Sequence, residues 1–321
     1  MKSPKIAGAG ICCLDHILLA PQIPWGNIAQ LEDYHSQGGG LVGTALVACS
    51  RLGAECRLFS FLGDDDAGDY IAAELVAEGV KLSGISRILG GGSPFSFIHV
   101  DKLSGERTIF HRRASGMDSS ELPDLDWVSR CDVLLVDDYY PRLALAAAQM
   151  AKKHDIPVIA DLISSPEKSE ELFRNVSILI APKSFAAQIG FPDDYPGALN
   201  AIHQLGPRIA VITLGSKGWV YSTPEGESRG EAFKVEVADT TGAGDAFHGA
   251  FAYSLARKWP IERCAEFASA VAAIKCLKPG GRTGLPSLPQ AMIFLKRRGR
   301  LDWSDFDAQG NQLSGRRRII K

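Results

Sequence analysis

The stretch DTTGAGDAFHGAF, residues 239–251, sets Gly242, Ala243 and Gly244 directly before an acid and then opens an apolar helix. Helical spacing starts at once after Asp245: Phe247, Ala250, Phe251, Ser254 and Leu255 fall at i, i+3, i+4, i+7 and i+8 on one face, which puts Asp245 in the first turn. Glycines ahead of a helix let several backbone N–H groups turn toward one point. Those donors and the positive end of the helix dipole make an anion site. A phosphoryl group in transfer is such an anion, and its transfer needs a carboxylate to orient the attacking hydroxyl and take its proton. The same residues also admit a structural reading, in which Asp245 complements the dipole and the glycines make a tight turn.

The whole chain frames the choice. At 321 residues it is long enough for one large α/β domain or two small ones, and 45% hydrophobic with 22% charged residues describes a globular protein. A formal net charge of -2 asks for neither nucleic acid nor an anionic membrane. Cys12, Cys13, Cys49, Cys56, Cys131, Cys264 and Cys276 form an odd set without C-x-x-C spacing, which predicts buried thiols in a cytoplasm. The N-terminus does not read as a signal peptide, because Asp15, His16 and two prolines break its apolar run. No window approaches the roughly 18 apolar residues a membrane helix needs.

Residues 5–20, KIAGAGICCLDHILLA, read as a buried first strand, and RLFSFLG, CDVLLVDD, IPVIADL, VSILIAP and RIAVITLG read as further short strands. Helix-period stretches such as TALVACSRLG, AGDYIAAELVAEG and LALAAAQMAKKHD lie between them. This alternation predicts an α/β fold with a doubly wound, mostly parallel sheet covered on both faces. Residues 19–37 and 93–113 break the rhythm; the second alternates polar and apolar residues around a Leu-Ser-Gly turn, so the two should pair into a small β-sheet lid. The expected organisation is one domain over 1–299, a lid from about 19–37 and 91–115, and a C-terminal tail at 300–321 whose Arg316–Arg318 run reads as a solvated terminus.

With these segments in view the chain resembles the ribokinase-like, or PfkB, family of carbohydrate kinases. DTTGAGDAFHGAF is similar to that family's C-terminal signature, and residues 38–80, from GGGLVGTALVACSRLG onward, are similar to its N-terminal one. Asp15, VITLGSKG (211–218) and FASAVAAIKCLKPGGRTGLP (267–286) fall in the family's order, so the resemblance covers roughly residues 5–298. Two long signatures in order are far more specific than a short glycine motif. The resemblance implies ATP-dependent phosphorylation of a sugar hydroxyl, with Asp245 as base and the Gly242, Ala243 and Gly244 amides as anion hole. It implies sugar contacts at Asp15, Gly39, Gly40 and Thr44, and nucleotide contacts at Thr213, Gly215, Gly218, Lys183 and Cys276. ATP with Mg2+ follows, as do a monovalent cation such as K+ near Asp239 and Thr241 and a homodimer through the lid.

The chain departs from the family pattern in places. Thr44 stands where Asn is common, and Pro182 and Phe185 stand where an Asn-x-x-Glu motif is expected. Several segments look most similar to the sulfofructose kinase branch and more distantly to ketohexokinases. That branch implies an arginine where Tyr139 and Tyr140 lie, so Arg112, Arg113 or Arg142 would have to serve an anionic group, or are surface charges. Two rivals stay open. One is a sugar or nucleotide sensor without turnover; the other is a nucleoside kinase using Phe95, Phe97 or Trp25 as an aromatic platform. The acids of GDDDAGD (63–69) read as a helix N-cap rather than a calcium loop. The histidines lack metal-ligand spacing, His248 is read as a packed helix position, and GAGICC has too few glycines for a dinucleotide fingerprint.

Overall fold

All six of the apolar runs supply strands that lie side by side, because each is covered on both faces. The computed structural model describes residues 2–21, 23, 25–101, 107–117, 121–162, 166–299, 301–307, 310 and 311. In chain order its elements are β1 (Lys5–Ala9), β2 (Cys13–Ala20), β3 (Asp33–Gly39), α1 (Leu41–Arg51), β4 (Glu55–Gly63), α2 (Asp66–Ala77), β5 (Val80–Ile88), β6 (Phe95–Asp101), β7 (Arg107–Arg112), β8 (Val133–Asp137), α3 (Pro141–Lys153), β9 (Val158–Asp161), α4 (Pro166–Phe173), β10 (Ile178–Pro182), α5 (Lys183–Gln188), α6 (Tyr195–Leu205), β11 (Ile209–Thr213), β12 (Trp219–Thr223), β13 (Gly226–Gly230), α7 (Ala243–Ala256), α8 (Ile261–Lys275) and α9 (Leu288–Arg298).

A nine-stranded sheet runs β13-β12-β11-β10-β9-β8-β1-β4-β5. It is parallel from β11 to β5, and the β12–β13 hairpin closes one edge antiparallel. Alternating side chains feed two apolar layers. Ile6, Val133 and Leu135 join a layer with Leu46, Phe251 and Phe267, whereas Ala7, Leu134 and Val136 join one with Leu143, Phe173 and Leu199. The doubly wound expectation holds.

The reading of 5–20 as one strand does not hold. The chain bends at Gly10, whose site faces Asp137 so closely that a Cβ would lie 2.3 Å from Oδ2, and Ile11 N–H donates to that carboxylate at 2.8 Å. Buried Asp137 thus ends β1 and releases β2 into a second sheet ordered β3-β2-β6-β7. This is the lid: β3 and β7 are antiparallel to their neighbours and β2–β6 is parallel. The Leu103-Ser104-Gly105 turn of its hairpin lies outside the described residues.

Asp65 caps α2 by accepting from Gly68 N–H at 2.9 Å, as the acid run suggested. The C-terminal segment packs more closely than an appended tail would. Trp303 and Phe306 are buried against Trp259, and Trp303 Nε1 donates to Glu266 Oε2 at 2.8 Å. Arg316–Arg318 lie outside the described residues.

Candidate active site

An open parallel sheet forms a crevice beyond its carboxyl ends, at the point where neighbouring strands lead off in opposite directions. Here that point lies between β1 and β8. Asp137, Asp161, Pro182 and Thr213 end β8, β9, β10 and β11 along this edge. The β2 strand rises from the same place and carries Asp15.

One wall is the start of α7. Gly242 caps it in the left-handed region at φ 73°, and a Cβ there would come within 2.7 Å of Gly281 O, so only glycine fits. The space in front of Gly244 is open. Asp245 follows in the first turn, half-buried. Burial holds its carboxyl well above the usual range, Asp161 and Asp15 push the same way, and Arg282 and Arg107 oppose them. Of the three amides expected in the anion hole, that of Ala243 donates to Thr240 O at 3.1 Å. His248 is packed as expected, its ring nitrogens 2.8 Å from Gly244 O and 3.0 Å from Ile180 O, with Asp161 at 3.4 Å.

The opposite wall is the lid's inner face. Gln37, Asp15, Ser96 and His111 stand in register across its four strands. Asp15 is 7% exposed and accepts from Cys13 Sγ at 3.2 Å; burial raises its pKa, while Cys13, Arg282, Ser96 and His111 counter the rise. His111 lies between Ser96 Oγ and Tyr139 OH, at 3.1 Å from each. Strand alternation turns Arg112 the other way, onto the outer face over the Phe95 ring at 5.4 Å, so it does not share the face of Asp15. Phe97 is on that outer face as well, stacked on His16, and Trp25 is 83% exposed. None of these aromatics forms a platform beside Asp15.

The paired glycines answer to the protein itself. A Cβ on Gly39 would lie 2.0 Å from Asp15 Oδ2, and Gly40, at φ 88°, sits against Ile11 O. Thr44 is set behind the site, 1% exposed, its hydroxyl accepting from Arg282 Nε at 3.3 Å. Arg282 is 2% exposed and also reaches Gly39 O at 2.8 Å and Glu74 Oε1 at 3.2 Å. It ties the glycine turn, α1 and α2 into one support beneath Asp15 and Asp245.

Along the sheet edge, Thr213 ends β11 and Gly215 and Gly218 frame the turn that follows, with Leu214 N–H bonded to Gly218 O at 2.8 Å. Lys183 opens α5, exposed at the next strand end. Cys276 is buried, and its carbonyl accepts from Ala238 N–H at 2.8 Å and Asp239 N–H at 3.3 Å, so it braces the loop leading to α7. A groove of about 930 Å³ lined by Leu277, Phe294 and Arg298 is separate; neither Asp15 nor Asp245 lines it.

The chain and its fold are matched by known proteins. The model of the pfkB family of carbohydrate kinases matches residues 3–288. The chain belongs to this family. It is 29% identical over 296 residues to the ribokinase of Haemophilus influenzae, covering 88% of this chain and 95% of that one. The crystal structure of ribokinase from Thermotoga maritima superposes with a TM-score of 0.79 at 25% identity, over 91% of this chain and 99% of that one. The Arabidopsis thaliana ribokinase complexed with ribose and ATP gives a TM-score of 0.83 at 21% identity, over 92% and 99%, and so shares the fold.

Within this pfkB kinase, Pro182, the first position where the family's Asn-x-x-Glu was sought, ends β10 exposed, and Phe185, the second, serves packing instead. Phe185 is 2% exposed and stacks with Phe173 at 6.2 Å. Among the described residues no three His, Cys, Asp or Glu side chains cluster to hold a metal, and no helix is long and apolar enough to cross a membrane. All seven cysteines are free and buried. Sequence reasoning missed Arg282, Arg107, Asp161 and Lys275. Arg107, on the inner face of β7, reaches Thr241 Oγ1 at 3.3 Å and links the lid to the α7 loop. Lys275 had a signal, because it continues the buried stripe Cys264, Phe267, Ala268 and Val271 at helical spacing.

Proposed function

We propose that this pfkB kinase transfers the γ-phosphate of ATP to a hydroxyl of a sugar held between the lid and α7. The observation that carries the reading is Asp245 in the first turn of a helix capped by left-handed Gly242, electrostatically coupled to Asp15 on the lid. Asp15 orients the sugar's hydroxyls. Gln37 Nε2, a buried donor without a partner among the described residues, stands next to it in register and would be satisfied by a sugar oxygen. Asp245 takes the proton of the attacking hydroxyl. The Gly242 and Gly244 amides and the α7 dipole stabilise charge on the phosphoryl group in flight, and Arg107 brings a cation from the lid.

The nucleotide lies along the ends of β10 and β11, by Thr213, Gly215 and Gly218. Magnesium would come with the nucleotide and supply positive charge at its phosphates, a role that needs few protein ligands. Phe95 and Phe97 face away from Asp15, which weighs for a sugar over a nucleoside. The lid's outer face exposes Tyr34, Phe97 and Phe110, and this supports a homodimer through the lid.

The test is ATP consumption by purified protein with magnesium against aldoses, ketoses, sugar phosphates, sulfosugars, 2-keto-3-deoxy acids and nucleosides. Substrate-dependent ADP from one sugar class is expected. Ligand binding without turnover across the panel would replace the kinase by a sensor.

A further inference from the structure

Among the described residues Lys275 is the only lysine in the buried core, at 0% exposure. A buried ammonium is costly unless it is paired and hydrogen-bonded, so such a group calls for an explanation. Its Nζ donates to the Asp239 carbonyl at 2.9 Å, at the base of the 239–245 loop. Burial lowers its pKa from the ordinary lysine value, and the nearby Asp239 carboxylate opposes the shift.

A monovalent cation near Asp239 and Thr241 would need several oxygen lone pairs aimed at one point. In this chain those oxygens already have donors. Asp239 Oδ1 accepts from Thr241 N–H and from its hydroxyl, both at 2.8 Å, and Oδ2 accepts from Gly280 N–H at 2.7 Å. The Asp239 carbonyl has Lys275, and the Cys276 carbonyl takes two N–H groups. Burial alone would raise Asp239, but the Thr241 and Gly280 donors with Lys275 outweigh it and hold the carboxyl below its usual value. The residues fit an internal ammonium and do not fit an added ion.

We infer that Lys275 is the built-in cation of the α7 loop: a positioning residue whose ammonium holds Asp239 and the anion hole in place, so that the enzyme needs no monovalent cation. The inference rests on reading 239–245 as the anion hole. A tethered charge suits this role, since it cannot be diluted away and adds field at the α7 N-terminus, where negative charge develops.

The experiment has two arms. Wild-type melting temperature and ATP affinity are measured in KCl, NH4Cl and tetramethylammonium chloride at equal ionic strength. Both should be the same in all three, and a rise specific to K+ overturns the inference, since an ion bound to the folded state must stabilise it. This arm needs neither turnover nor a variant, so it decides even if no sugar is phosphorylated. In the second arm Lys275→Met should lose about 100-fold in kcat and regain about tenfold in NH4Cl, the scale expected for removing and replacing one charge at such a site. Loss without ammonium rescue would reduce Lys275 to a packing role, and an unchanged kcat would remove it from the loop's function.

Discussion

The proposed phosphate wall of the cleft is seven consecutive residues, 239–245, whereas the proposed acceptor wall is gathered from β2, β3, β6, β7 and the turn at 280–283. The first is closed by its own backbone: Asp239 binds Thr241 two residues on, and Gly242 turns directly into α7. The second exists only because four lid strands bring Gln37, Asp15, Ser96 and His111 into one row. Chemistry common to many sugar kinases can reside in a short local motif, because a phosphoryl group is always the same ligand. Recognition of one particular sugar is spread over distant segments, and each can change without disturbing the transfer.

Substitutions on the two walls should therefore fail in different ways. Asp245→Asn is expected to lower kcat by about 10²–10⁴, the range for a lost general base, with ATP affinity retained in a titration. Near wild-type turnover would dissolve the distinction between a catalytic and a recognising wall. Gly39→Ala should act on the other wall, since its Cβ would push Asp15 Oδ2 aside. A displacement on that scale costs about 100-fold, expected here mainly in KM for the sugar with KM for ATP unchanged. A loss confined to kcat would put Asp15 in the transfer step.

A subtler test asks whether the walls share a field. Asp161 raises the Asp245 carboxyl, so Asp161→Asn should lower it, and the acid limb of the kcat/KM profile should move to lower pH. The sign follows because Asp245 must be ionised to act as base, and the window lies between the ordinary carboxylate value and the raised one. An upward move would show that Asp161 supports Asp245 through His248 rather than by charge. The smallest effect is expected from Arg112→Ala: on the lid's outer face it should change kcat/KM by less than about 0.5 kcal/mol equivalent, as surface substitutions do. A large rise in sugar KM there would mean that β7 pairs in another register when the sugar binds.

Much of this could be read before the fold was known. Helical spacing after Asp245 places that acid in the first turn of α7, and the strand–helix alternation gives the covered parallel sheet, because both signals repeat within a few residues. Residues 5–20 show where such reading stops. Their apolar run is continuous, and the break at Gly10 is imposed by Asp137, more than a hundred residues away. Arg112 and His111 show a second limit. They are neighbours in sequence, but strand alternation gives them opposite faces, and only the pairing of β7 with β6 decides which face meets Asp15.

By itself, then, the amino-acid sequence determined the parallel α/β sheet, the lid hairpin, and the glycine-capped helix with its acid, since each depends on backbone geometry and contacts between near neighbours. The tertiary structure decided which charges are buried together. Arg282 beneath Asp15 looks like an ordinary surface cation in a linear reading, and the buried stripe that carries Lys275 does not say that Asp239 meets it. Their burial is tolerable only because carboxylates and carbonyls from other segments meet them there, and that compensation is a property of packing.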